Sequence, residues 1–372
     1  MKRAQHDLIK KDLIRKMCFL TGPRQVGKTT LARAIGNDFE NPVYLNYDNF
    51  TDREMIHKMA WLPDTDLLIL DELHKMAGWK NFVKGIYDTK PEDLNILVTG
   101  SSRLEAFRQT GDSLAGRFFR HRLGPLTLAE IDDVGPADLE RLLERGGFPE
   151  PYLTEGLVEA DRWRLQYIDG LIRTDILNFE KIHDFKAMQL TLELMRERVG
   201  SPLSYASLAR DIQCAPNTIK RYVEILEALF IVFRVTPYHR NIARSLLKEP
   251  KIYFYDTGMV KGGVSRRLEN LVAVSLLKHL NAIEDYQGRK ARLHYLRTKE
   301  KKEVDFALLI ENEPLMLIEV KLSSDDLSPS LVYFHKKYRL PAIQLVKNLR
   351  HEQSKDDISI RSVFRFLGSL MM

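Results

Sequence analysis

The chain has 372 residues, 44% hydrophobic and 29% charged, and carries 57 Lys and Arg against 51 Asp and Glu for a formal charge of +6. That length allows two or three domains, each with its own core, and the mild basic surplus permits a nucleic-acid partner without demanding one. The only two cysteines, Cys18 and Cys214, lack metal-ligand spacing and are read as reduced thiols of a cytoplasmic protein, and the longest aliphatic and aromatic run, residues 229–233, is far short of the ~20 residues a membrane helix needs.

Residues 1–16 are basic but mix Asp7 and Asp12 with spaced Leu and Ile, a pattern that predicts an amphipathic helix rather than a signal peptide. A short apolar run, Met17–Thr21, predicts a strand, and Leu31, Ile35 and Phe39 recur at helical spacing beyond it. Between them residues 22–29 read Gly-Pro-Arg-Gln-Val-Gly-Lys-Thr, a complete GxxxxGK[ST] phosphate-binding loop. In such a loop the backbone of Gly22, Pro23, Arg24, Gln25, Val26 and Gly27 closes round phosphate oxygens, and Thr30 follows at the start of the helix. Lys28 adds a point charge, and the Thr29 hydroxyl is placed to ligate Mg²⁺. A nucleoside triphosphate with Mg²⁺ is therefore the expected ligand.

Further apolar strands are predicted at residues 43–47, 66–70, 95–99 and 118–123, with Trp79, Phe82, Val83, Ile86 and Tyr87 forming one helical face between the middle two. This alternation predicts an α/β fold with a parallel sheet. The run Leu67-Leu-Ile-Leu70 ends in Asp71 and Glu72. Ligands of parallel sheets sit at strand carboxyl ends, so Asp71 is the expected second Mg²⁺ ligand and Glu72 the group that orients or deprotonates the attacking water. Thr99 or Ser101, after the next strand, is a candidate sensor of the γ-phosphate. Alternatively, Ser101 or Ser102 caps a helix starting near Leu104. Arg117 is a candidate donor of charge to the transition state, in cis or from a second copy of the chain, with a structural ion pair as the competing reading; Arg173, near Asp175, is a weaker candidate.

Residues 204–233 read as helix, turn, helix and strand. Tyr205, Leu208, Ala209 and Ile212 form one apolar face and Ile219, Tyr222, Val223, Leu226 and Leu229 another, the pattern of a helix-turn-helix. Asn217, Thr218, Lys220 and Arg221 stand on the first turns of the second helix, where they would reach bases or phosphates, and residues 230–235 and 251–255 are candidates for a wing. Against DNA contact, Glu224 and Glu227 lie further along that helix.

In the C-terminal half, residues 303–310 alternate as a strand with Asp305 facing away from Val304, Phe306, Leu308 and Ile310. Residues 315–322 form a second, with Glu319 and Lys321 on one face at a separation of roughly 7 Å. Upstream, Glu269 shares a largely apolar helix face with Val272, Ala273, Leu276 and Leu280. Glu269, Asp305 and Glu319 are thus candidate Mg²⁺ ligands, and Lys321 the cation that supports phosphodiester hydrolysis. The spelling [DE]xK also occurs elsewhere, as at Glu249/Lys251. Only the Glu319 copy lies in an apolar strand with an acidic strand immediately upstream.

The phosphate loop, Leu70-Asp-Glu72, Thr99-Gly-Ser-Ser102, Leu114-Ala-Gly-Arg117, Pro125-Leu-Thr-Leu128 and Gly146-Gly-Phe-Pro-Glu150 together resemble the prokaryotic AAA-type ATPases that carry a C-terminal restriction-endonuclease-like, PD-(D/E)xK, domain. The resemblance spans nearly the whole chain. It implies ATP rather than GTP as the nucleotide, a AAA+ core over residues 1–135, a helical lid over 136–200, a winged helix over 201–262, a nuclease-like domain over 263–350 and a tail over 351–372. The expected activity is ATP hydrolysis directed to DNA, with a homo-oligomer or protein partner also expected. The competing reading is a nucleotide-dependent switch or scaffold whose nuclease-like domain is inert. A small-molecule kinase is disfavoured by the Asp71-Glu72 pair and the long C-terminal extension.

Overall fold

Five short strands, apolar in the main, build a parallel sheet in the first part of the chain: β1 (Met17–Thr21), β2 (Pro42–Asn46), β3 (Leu67–Asp71), β4 (Asn95–Gly100) and β5 (Phe118–Arg122), in the order β2-β3-β4-β1-β5. The computed structural model describes residues 3–100, 114–171, 184–238, 249–323 and 326–372 and divides into two units, Met1–Gly124 and Pro125–Met372. In the first unit, β1 and β3 are buried at every position, as expected of central strands covered on both faces. Helices α1 (Gln5–Leu13), α2 (Lys28–Gly36), α3 (Phe50–Lys58) and α4 (Trp79–Thr89) connect or flank the strands. The Trp79, Val83 and Ile86 face of α4 joins Leu68, Leu70, Ile96 and Val98 in one apolar core. Burying such a core is the main stabilisation of the sheet, at about 25 cal/mol per Å² of apolar surface.

The second unit begins with a helical region: α5 (Pro136–Arg145), α6 (Pro149–Leu153), α7 (Leu157–Gly170) and α8 (Phe185–Glu197). Gly146 ends α5 at a φ of 74°, and a Cβ there would fall 1.6 Å from Asp256 Oδ1. That carboxylate is buried and receives the Arg164 Nε–H at 2.8 Å. The glycine pair in Gly146-Gly-Phe-Pro-Glu150 therefore has a packing cause within this unit.

Next come α9 (Tyr205–Ile212) and α10 (Pro216–Ala228), joined through Gln213 in the left-handed region and packed on α8. Strands β6 (Val232–Pro237) and β7 (Lys251–Phe254) follow as an antiparallel pair. They do not stand apart as a wing: β6 also pairs in parallel with β8 (Ala291–Arg297) and so joins a second, eight-stranded sheet. Helix α11 (Val264–Gln287) leads into β8. Then β9 (Glu303–Ile310) and β10 (Glu313–Lys321) form a hairpin whose two turn residues, Glu311 and Asn312, both have positive φ, as a two-residue hairpin turn needs. Helix α12 (Pro329–Tyr338) crosses to β11 (Ala342–Val346), parallel to β10.

Residues 351–372, expected as a tail, are part of this sheet. Strand β12 (Gln353–Lys355) pairs with β13 (Ile358–Ser362), β13 pairs in parallel with β11, and α13 (Val363–Gly368) buries Val363 and Leu367. The alternation of Ile358 and Ile360, both fully buried, is the reason.

Candidate functional site

In the first unit the phosphate loop runs from β1 into α2, as its flanks predict. Gly22 is packed so closely that a Cβ would lie 2.2 Å from the Leu123 carbonyl oxygen, so no larger residue fits there. Lys28 is buried, and its Nζ donates to the Gly22 and Pro23 carbonyls at 3.1 and 2.6 Å. Burial pulls its pKa down to about 8, with Glu72 and Asp71 opposing. A phosphate would restore full charge to this ammonium and release it from the loop carbonyls.

Asp71, 1% exposed at the end of β3, is the centre of a hydroxyl cluster. Thr29 Oγ1 donates to its Oδ2 at 2.8 Å, the Tyr44 hydroxyl to the same oxygen at 2.6 Å, and the Thr99 hydroxyl to Oδ1. Thr29 and Asp71, the pair expected to hold Mg²⁺, thus meet in space. Their oxygen donors suit that hard cation. Thr99 reaches Asp71, whereas Ser101, Ser102, Arg173 and Asp175 lie outside the described residues. Glu72 sits in the left-handed region at φ 56°, with Oε2 3.5 Å from Lys75 Nζ and 3.7 Å from His74 Nε2. Burial raises its pKa, which suits a group that must accept a proton. Tyr44 escaped the sequence reading, because its contact depends on β2 lying beside β3.

Arg117 makes a forked pair with Asp88, Nε to Oδ1 at 2.7 Å and Nη2 to Oδ2 at 3.2 Å. The structure thus places it in the ion pair weighed against the catalytic reading.

A second constellation lies in the Pro125–Met372 unit. Phe306 of β9 pairs with Ile318 of β10, which brings Asp305 beside Glu319, and the Val320 N–H donates to Asp305 Oδ2 at 2.9 Å. Lys321 Nζ lies 2.7 Å from Glu319 Oε1, while Glu319 Oε2 is buried with no hydrogen-bond partner. Glu269, on α11, accepts from the Tyr253 hydroxyl at 2.7 Å and lies 3.3 Å from Lys251 Nζ. Burial, reinforced by the charge of Asp305, pushes both Glu269 and Glu319 up to about 7.

The four residues expected here, Glu269, Asp305, Glu319 and Lys321, are accordingly brought together. With them comes an unexpected ammonium: Lys251, 1% exposed, stands 2.8 Å from Glu303 and 3.6 Å from Asp305 as well as close to Glu269. Burial lowers its pKa, but Glu269, Asp305 and Glu303 outweigh that and hold it above the usual lysine range. Its signal in the sequence is a charge opening the otherwise apolar strand Lys251-Ile-Tyr-Phe254. Among the described residues no three His, Cys, Asp or Glu side chains already form a metal-holding group, and no helix is long and apolar enough to cross a membrane.

On α10, Asn217, Lys220 and Arg221 are exposed on one face with Glu224, which lies 4.0 Å from Lys220.

Three family models match the chain: an AAA domain over residues 14–132, a domain of unknown function (DUF8612) over 136–265 and a domain of unknown function (DUF4143) over 266–367. An uncharacterized protein of Mycobacterium tuberculosis is 28% identical over 329 residues, 84% of this chain and 72% of that protein. One from Haemophilus influenzae is 22% identical over 324 residues, covering 73% and 79%. Among solved structures, the Walker-type ATPase PABY2304 of Pyrococcus abyssi aligns with 70% of this chain and 94% of its own at 15% identity and a TM-score of 0.47. The Orc1 protein of Aeropyrum pernix in complex with DNA aligns with 68% and 88% at 14% identity and a TM-score of 0.32. The phosphate-loop geometry and the match over residues 14–132 support an AAA-type ATPase domain in the first part of the chain.

Proposed function

We propose that this protein binds and hydrolyses ATP with Mg²⁺ at the phosphate loop and directs that cycle to DNA, which it engages through α10 and cleaves at the Asp305/Glu319 site. The hydrogen bond from Thr29 to Asp71, with Lys28 and Glu72 adjoining, carries the ATPase reading. Lys28 neutralises phosphate charge, and Glu72 accepts a proton from the water that attacks the γ-phosphorus as the bond to the β-phosphate oxygen breaks. Bound Mg²⁺ supplies charge neutralisation at the phosphates, and Thr29 and Asp71 would hold it.

At the second site the unpartnered Glu319 Oε2, with Asp305 beside it, fits a hard divalent cation. Asp305 and Glu319 would hold that ion, with Glu269 as the third candidate ligand, and Lys321 would meet negative charge on a phosphodiester. The helix-turn-helix order of α9 and α10, and the exposed Lys220 and Arg221, support duplex contact.

The competing reading, a nucleotide-dependent switch with an inert nuclease-like domain, has one observation in its favour: Lys251 already neutralises part of the carboxylate cluster. A cleavage assay on several DNA forms, with Mg²⁺ and with and without ATP, separates the two. Cleavage that is lost in Asp305→Ala supports the nuclease. ATP turnover without cleavage of any form leaves the switch.

A further inference from the structure

Lys251 is the cation round which three carboxylates of the cluster gather. It enters from β7, and its Nζ lies 2.8, 3.3 and 3.6 Å from oxygens of Glu303, Glu269 and Asp305, which come from β9 and α11. A single cation bridging carboxylates from separate elements is what a divalent ion does in such a site. The opposite side of the cluster is differently supplied. Glu319 Oε1 is met by Lys321 and the Ser328 hydroxyl also reaches the carboxylate, but Glu319 Oε2 is buried without a well-formed hydrogen bond, and the residue is only 5% exposed. An orphaned carboxylate oxygen in that setting is costly unless a cation completes it.

Charge counting agrees with an uneven pair of seats. Four carboxylates, Glu269, Glu303, Asp305 and Glu319, face Lys251, Lys321 and the Arg297 guanidinium, which lies 3.3 Å from Glu303, for a formal surplus of one negative charge. One divalent ion turns that surplus into one positive charge. A second would leave three positive charges in a largely buried cluster.

We propose that Lys251 is a built-in cation that takes the place of a second metal ion, so that this site accepts a single divalent ion at Asp305 and Glu319 while Glu269 serves to position Lys251. The inference rests on the metal-binding reading above and refines it. It makes Glu269 a partner of Lys251 and Tyr253, through the bonds it already forms, and leaves the Glu319 side as the seat. In two-metal sites the ions stand about 3.5–4 Å apart across a shared carboxylate, and Asp305 is the residue shared between Lys251 and the Glu319 side here.

The test is titration calorimetry of the full chain with MnCl₂, without nucleotide, counting only ions whose binding is lost in Asp305→Asn. Wild type is expected to bind one. Lys251→Met is expected to bind two, because the vacated seat keeps Glu269, Glu303 and Asp305. Glu269→Gln retains the acceptor for Tyr253 and is expected to keep one ion, with a smaller loss of affinity than Asp305→Asn. Asp305→Asn is expected to lose at least about tenfold, the cost that even an outer-shell partner carries. A Lys251→Met protein that still binds one ion overturns the proposal, as does a loss of ion binding in Glu269→Gln as large as that in Asp305→Asn, which would put Glu269 among the ligands; an outer-shell partner costs about 10–100-fold at most. The Glu269→Gln arm decides the matter if Lys251→Met does not fold. Absence of any Asp305-dependent ion in wild type and both variants instead removes the metal site itself, an outcome distinct from either.

Discussion

Thr29 Oγ1 donates to Asp71 Oδ2 at 2.8 Å although the strands that deliver them, β1 and β3, are separated in the sheet by β4. The contact is possible because both residues lie at carboxyl ends of parallel strands, where the loop after β1 and the end of β3 face the same crevice. It brings the two expected Mg²⁺ ligands together and leaves Lys28 and Glu72 as flanking charges of opposite sign. Lys28→Ala should therefore lose nucleotide binding, measured with a fluorescent ATP analogue. Glu72→Gln should keep it and lose about 10²–10⁴-fold in turnover, the usual contribution of a general base. Near-normal affinity in the first variant would remove the phosphate-loop assignment, and surviving turnover in the second would move the base elsewhere.

Tyr44 supplies a second hydroxyl to the same Asp71 oxygen at 2.6 Å, and Arg33 stacks over its ring at 4.3 Å. Removing that hydroxyl deletes a hydrogen bond to a charged group, a loss of roughly 1.5–3 kcal/mol in general. Tyr44→Phe should weaken Mg²⁺-dependent turnover by about tenfold or more, since each 1.36 kcal/mol on the barrier is about a factor of ten. Nucleotide binding without Mg²⁺ should be unaffected. If turnover and its Mg²⁺ dependence both match wild type, Tyr44 only packs against Arg33.

Arg117 is held by Asp88 on the surface, a pair that solvent weakens and that a stronger anion can displace. Asp88→Ala should leave ATPase activity intact or raised if Arg117 acts on phosphate, and lowered if the pair is structural. Mixing Arg117→Ala with Lys28→Ala protein should recover part of the activity if the arginine acts between copies of the chain. No recovery in mixtures shown to contain hetero-oligomers excludes action in trans.

The strands of the first unit were legible because each is a short run rich in apolar residues, and β1 matches its expected bounds at Met17–Thr21. The place of Asp71 was legible because a carboxylate ending an apolar run has one natural place in a parallel sheet. Tyr44 and Lys251 were not, and for one reason: each acts through partners distant in sequence, brought close by β2 lying beside β3 in one case and by the packing that sets Lys251 against Glu269 and Asp305 in the other. Local pattern carries no information about such packing. By contrast, residues 351–372 did carry a signal in Ile358 and Ile360, outweighed by the polar stretch before them.

Lys220 and Arg221 stand exposed on the first turns of α10. If both neutralise phosphates, replacing them with Ala should weaken duplex binding and reduce the slope of log affinity against log salt by about two. Fluorescence anisotropy across a salt series reads both quantities. An unchanged slope would assign this face to a protein contact instead.

The second unit should also respond to pH through two histidines. His279 Nδ1 accepts the Met371 N–H at 3.1 Å, so the ring is neutral with its proton on Nε2, and protonation would remove the acceptor. His294 Nδ1 lies 3.1 Å from the Thr236 carbonyl oxygen. Burial pulls both pKa values below the usual 6.5, and the nearby Arg292 charge lowers His294 further. The unfolded chain therefore binds these protons first, and the stability they contribute is present above about pH 6.5 and lost as pH falls through their folded values. Glu269 and Glu319 work in the opposite sense: with pKa values pushed up to about 7, they take protons more readily folded than unfolded and offset the loss. The histidine contribution must be read as a difference between proteins. Between pH 7.5 and 5.5, the Tm of wild type should fall further, or rise less, than that of a His279→Gln/His294→Gln protein. Glutamine can still accept the Met371 N–H but takes no proton. Parallel Tm profiles for the two proteins would show that neither histidine changes charge on unfolding in this range.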